Sequence, residues 1–100
     1  RIGNIFDYAT VHAAAVLCSP IKARILAERE WFPGQRTQWQ PDGSLRLDFP
    51  EAPRPELLWW VLSYAGHIEL LQPPDLREEI RQCAKRLVDL HVSEQSAWKR

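Results

Sequence analysis

The apolar positions of this chain switch between two spacings, and the switches fall at prolines and glycines. Alternation is clearest over Ser44 to Phe49, where Leu45, Leu47 and Phe49 predict an inward face and Arg46 and Asp48 an outward one. Arg36 to Gln40 reads as a strand joined to it through Pro41-Asp42-Gly43, a turn in which proline presets one dihedral and glycine accepts a left-handed one. Thr10 to Leu17 reads as the first strand, with Val11, Ala13, Ala15 and Leu17 on one face and His12, Ala14 and Val16 on the other. His67 to Leu71 reads as the last, with Ile68 and Leu70 inward.

Three segments carry the helical period instead. Ser19-Pro20 is a helix start, and Ile21 to about Glu30 follows, with Ile21, Ile25 and Leu26 on one side and Lys22, Arg24, Glu28 and Arg29 mostly on the other. Pro33-Gly34 ends it. Pro50, Pro53 and Pro55 stop the third strand, and a helix runs from Pro55 to Ala65 with Leu57, Leu58, Val61, Leu62 and Ala65 as its buried face. Gly66 stands where a positive φ terminates a helix. The last helix runs from Asp75 to His91 and carries the stripe Leu76, Ile80, Cys83, Ala84, Leu87 and Leu90.

The order is βαββαβ with one more helix at the end. This predicts an α+β, ferredoxin-like fold: a four-stranded antiparallel sheet, two helices on one face, and a C-terminal helix that covers an edge or continues into a partner. Residues 1–9 read as an incoming linker in which Ile2, Ile5, Phe6 and Tyr8 are apolar enough to dock elsewhere. Residues 10–91 form the domain, and 92–100 a polar tail. A start at Arg1 rather than methionine predicts a piece of a longer protein.

One hundred residues give one core of moderate size. The formal net charge is +0, so no broad field draws nucleic acid or an anionic membrane. No apolar run reaches the ~18 residues of a membrane span, and no signal peptide is expected, the apolar run Ala13 to Leu17 being short and not preceded by a basic region. Cys18 and Cys83 lack CxxC spacing and read as reduced core thiols of a cytoplasmic protein.

No nucleotide-binding, zinc-protease or nucleophile-elbow motif occurs, and the domain is expected to be non-catalytic and to need no cofactor. His12, His67 and His91 lie on three elements with no second ligand at metal spacing, so no metal site is expected. Ser19 reads as a cap rather than a nucleophile, and Glu78-Glu79 as part of a solvated helix face. One polar group stands out. Arg36, Gln38 and Gln40 project one way from the second strand, beside Arg46 and Asp48 on the third. With Trp31 or Trp39 as an aromatic rim, this face could hold an anionic ligand or stacked bases; a solvated sheet face or a protein interface is the plainer reading. Trp59 and Trp60 either complete the core or leave one ring as an anchor at a subunit interface.

Taken in order, these residues resemble the C-terminal extension (WCX) domain of WYL-domain transcriptional regulators. The resemblance is carried by Glu28-Arg29-Glu30-Trp31-Phe32-Pro33-Gly34-Gln35, by Asp42-Gly43-Ser44 with Leu45 and Leu47, by Glu56 through Gly66, and by Ile68-Glu69-Leu70-Leu71-Gln72-Pro73 followed by Leu76-Arg77. It implies a bacterial regulator in which a winged helix-turn-helix and a WYL domain precede this one. DNA contact would belong to the first of these and ligand sensing chiefly to the second. For this domain it implies homodimerisation and a share in the response to an effector, such as nucleic acid or a small anion. The candidate ligand residues, read from the sheet face, are Arg36, Gln38 and Arg46, and the candidate interface residues, read from the second helix, are Trp59 and Trp60.

Overall fold

The computed structural model describes residues 9–92. The elements are β1 (Thr10–Cys18), α1 (Pro20–Ala27), β2 (Arg36–Trp39), β3 (Leu45–Pro53), α2 (Arg54–Ser63), β4 (Ile68–Gln72) and α3 (Pro74–His91). The strands form one antiparallel sheet in the order β2-β3-β1-β4, the ferredoxin-like arrangement expected from the sequence. α1 packs on β1 and β3, α2 on β3 and β4, and α3 along β4 and against α2.

The core lies between the helices and one face of the sheet. Val16, Cys18, Leu45, Leu47, Phe49, Leu26, Leu57 and Leu76 are fully buried there. An aromatic cluster closes one side of it. Trp60 meets Phe49, Phe32 and Trp31 at ring-centroid distances of 5.6, 5.6 and 5.7 Å, and Tyr64 packs against Trp31 and Trp60. Most of these contacts are edge-to-face, the geometry that the ring quadrupoles favour.

β1 does not keep the simple alternation expected of it. Val11 is buried on the core side, but the residues that follow it inward are Ala14, Val16 and Cys18, not Ala13, Ala15 and Leu17. Ala13 has φ +57°, outside the strand region, and this turns the chain by one position. β3 makes the matching change. It runs on through Pro50 to Pro53 instead of stopping at Phe49, and its inward residues step from Phe49 to Ala52. The two shifts compensate: Val11 still pairs with Ala52 and Ala14 with Phe49, so the register is constant along the β1–β3 ladder. Proline is tolerated because β2 pairs with β3 only as far as Asp48, and among the described residues no strand pairs with the rest of that edge.

α1 also departs from expectation. Ala23 and Leu26 are its buried residues, and Ile21 and Ile25 face away from the body. Helical geometry separates the two pairs by roughly half a turn, so only one pair can reach the sheet. The β2–β3 turn is built as the sequence predicts. Gly43 has φ +89°, Gln40 N–H donates to Ser44 O at 2.9 Å, and Asp42 Oδ1 accepts from the Ser44 N–H and hydroxyl at 2.9 and 2.6 Å. These bonds hold the Asp42 carboxyl below its ordinary pKa.

Candidate functional surfaces

The open face of the sheet carries the polar residues singled out in the sequence. Arg36 pairs across the ladder with Asp48, and Gln38 with Arg46, so these four share a face. Arg46 is committed within it. Its Nε and Nη2 donate to the two Asp48 carboxylate oxygens at 3.0 and 3.1 Å, and the pairing raises the guanidinium pKa. Arg36 borders a shallow hollow of about 310 Å³ with Ala13, Asp48 and Pro50. Gln40 lies past the end of β2, where its side-chain amide donates to Gln38 O.

Neither expected aromatic rims this face. Trp39 pairs with Leu45, whose side chain enters the core, so Trp39 belongs to the helix side of the sheet. Trp31 packs on Trp60 and Tyr64, its Nε1 donates to Leu26 O at 2.9 Å, and the Arg29 guanidinium stacks over it at 4.3 Å.

The adjacent tryptophans of α2 part company. Trp60 turns into the aromatic cluster, while Trp59 is 69% exposed. With Ile21 and Ile25, Trp59 adds to the apolar side chains that the helices present outward.

α3 supplies a third surface. Its first half seats Leu76 and Ile80 against the body; further along, Cys83 and Leu90 are half-buried while Ala84 and Leu87 emerge into solvent. Leu87 is 53% exposed and Val88 60%. The cause is length. Eighteen helical residues span about 27 Å and five strand residues only about 17 Å, so the end of α3 overhangs β4. The disparity between a long helix and a short strand was the one sequence signal of this exposure.

A contact with no signature in the sequence joins Ser19 to His67. The Ser19 hydroxyl lies 2.9 Å from His67 Nδ1, and Ser19 N–H donates to His67 O at 2.8 Å. Ser19 stands at the N-cap of α1 but makes no side-chain bond to the helix, so the cap role expected of its hydroxyl is replaced by this link to the start of β4. The residues are 48 positions apart, and only the sheet order brings them together. Elsewhere, His12 Nδ1 approaches Glu51 at 3.9 Å, and His91 contacts the Leu87 carbonyl. Glu78 accepts from Arg81 and Gln82, which lowers its pKa to about 2; Glu79 accepts from Arg54. Among the described residues no three His, Cys, Asp or Glu side chains converge as a metal site, and no helix is long and apolar enough to cross a membrane. Cys18 and Cys83 are both free, and burial pushes the Cys18 thiol up to about 11.

The architecture is that of a ferredoxin-like module with an appended helix, polar on one sheet face and apolar at several outward helix positions. Within that class the chain belongs to the WCX domain family, whose family model matches residues 10–88. Membership places it among the regulatory domains of WYL-type proteins. No curated protein matches the chain.

Proposed function

We propose that this domain is a non-catalytic regulatory and dimerisation module of a cytoplasmic, WYL-type transcriptional regulator. On this reading a WYL domain and a helix-turn-helix precede it in the same chain, and DNA contact belongs to the helix-turn-helix. The observation that supports an assembly role is the number of large apolar side chains facing solvent on all three helices: Ile21, Ile25, Trp59, Leu87 and Val88. Isolated exposed apolar residues are ordinary, but their repetition on every helix favours surfaces that other protein covers. Sedimentation equilibrium of the chain over a concentration series tests this. Self-association is expected, and a strict monomer at the highest concentration refutes dimerisation through this domain.

A second reading rests on Arg36, which stands beside a hollow on the open sheet face and, among the described residues, has no bonded carboxylate, unlike Arg46. There the domain would hold a nucleotide, single-stranded nucleic acid or a small anion. Titration with single-stranded oligonucleotides across a salt series tests it. Binding that weakens with salt and in Arg36→Ala supports this reading, and absence of binding at low salt refutes it.

A further inference from the structure

Between β4 and the first half of α3 lies a groove of about 390 Å³, lined by the apolar Ile68, Leu70 and Ile80 and bordered by Arg77 and Arg81. Both arginines are engaged along it, Arg77 with Glu69 and the Leu70 carbonyl, and Arg81 with Glu78. The groove wall does not end at Ile80. Positions 80, 84, 87, 88 and 91 follow the i, i+4, i+7, i+8, i+11 spacing of one helix side. Ile80 is therefore continued by Ala84, Leu87 and Val88, all exposed. One helix thus carries an unfilled apolar groove at one end of this strip and unburied apolar side chains at the other.

These two features complement each other under a two-fold axis. If two copies of α3 cross antiparallel at Ala84, Leu87 and Val88 of each copy reach the Ile80 groove of the other. A two-fold interface requires this kind of self-complementarity. Alanine at the crossing lets the backbones approach closely. The charges agree with the antiparallel sense. From Asp75 to Gln82 the helix carries three carboxylates and two guanidiniums; from Cys83 to His91 it carries Lys85 and Arg86 against Asp89 alone. Antiparallel crossing sets the half with one net negative charge against the half with one net positive charge, a modest bias because Asp75 and Glu79 are already held by Arg54 and Lys85 by Asp89, and it opposes the helix dipoles.

The geometry points to the second half of α3 as the dimerisation surface, its occupant being the Ile80 groove of a second copy of this chain. This rests on the dimer reading above and assigns it a surface, with Trp59 left outside the contact.

The test compares wild type with Leu87→Glu/Val88→Glu and with Trp59→Ala, by sedimentation equilibrium, and probes the axis by disulfide trapping of Ala84→Cys in a Cys83→Ala background. Trp59, Ala84, Leu87 and Val88 are exposed and Cys83 is half-buried, and far-ultraviolet circular dichroism verifies that each variant is folded. The expected result is a wild-type dimer, a dissociation constant raised about thirtyfold or more in the double variant and unchanged in Trp59→Ala, and an interchain disulfide at position 84. A wild-type dimer that survives Leu87→Glu/Val88→Glu, or that fails to trap at position 84, overturns the α3 assignment and leaves dimerisation to another face. A monomeric wild type overturns both.

Discussion

A Cβ placed on Gly34 would lie 2.9 Å from Cγ of Pro50, so the loop after α1 is closed tightly onto the second half of β3. Gly34 also has φ +81°. Either property alone disfavours a side chain, and here they coincide. Gly34→Ala is expected to cost roughly 2–3 kcal/mol, the sum of left-handed strain and local overpacking, read as a lower urea midpoint at unchanged slope. The same substitution at Gly66, where φ is +90° but, beyond its chain neighbours, no atom of the described residues lies within 4 Å of the added Cβ, should cost only the strain.

The two α2 tryptophans give an internal control. Trp60→Ala removes a ring held by Phe32, Phe49, Trp31 and Tyr64 and is expected to destabilise by about 3 kcal/mol. Trp59→Ala removes a largely exposed ring and should stay within about 0.5 kcal/mol. Chemical denaturation of the two variants under identical conditions tests the difference, and equal effects would contradict the packing described.

The Ser19–His67 link should behave as a coupled pair. Ser19→Ala and His67→Ala are each expected to cost about 1 kcal/mol, and the double variant less than their sum, because the second change finds the bond already gone. The backbone bond from Ser19 N–H to His67 O needs neither side chain and remains in all three variants. Additive losses would show that the side-chain contact contributes nothing.

Thiol chemistry should separate the cysteines. Cys18 is buried with its pKa pushed from 9.0 to about 11, whereas Cys83 is partly exposed on α3. At pH 8 one equivalent of a thiol reagent should react readily, at Cys83, and the second only after unfolding. The linkage has a definite sign. A folded pKa above the unfolded one means that the buried thiol's contribution is complete below about pH 9 and is lost as pH rises through about 11. Cys18→Ala should therefore flatten the fall in stability over that window.

Local rules settled much of this protein before any contact was considered. Alternation at Leu45, Leu47 and Phe49, the Asp42-Gly43 turn and the order of elements follow from steric limits on each residue and the repeat of each element; the stop of α2 did not fall at Gly66, because the helix ends at Ser63 and Ala65, exposed, takes the first positive φ at +50°. The ferredoxin-like class followed from that order of elements, and the WCX resemblance from particular residues, such as Glu28 through Gln35 and Ile68 through Pro73. Other features depended on partners distant in the chain. The inward side of β1 was decided by the conformation of Ala13 and the matching shift at Pro50. Leu26 rather than Ile25 entered the core, and Trp60 rather than Trp59, because a helix can turn only one side to the sheet and a periodic stripe wider than that side does not say which residues it will be. Ser19 met His67 only through the pairing of β1 with β4. The last turns of α3 were left uncovered because β4 beneath them is short, a relation between the lengths of two elements and not a property of either segment alone.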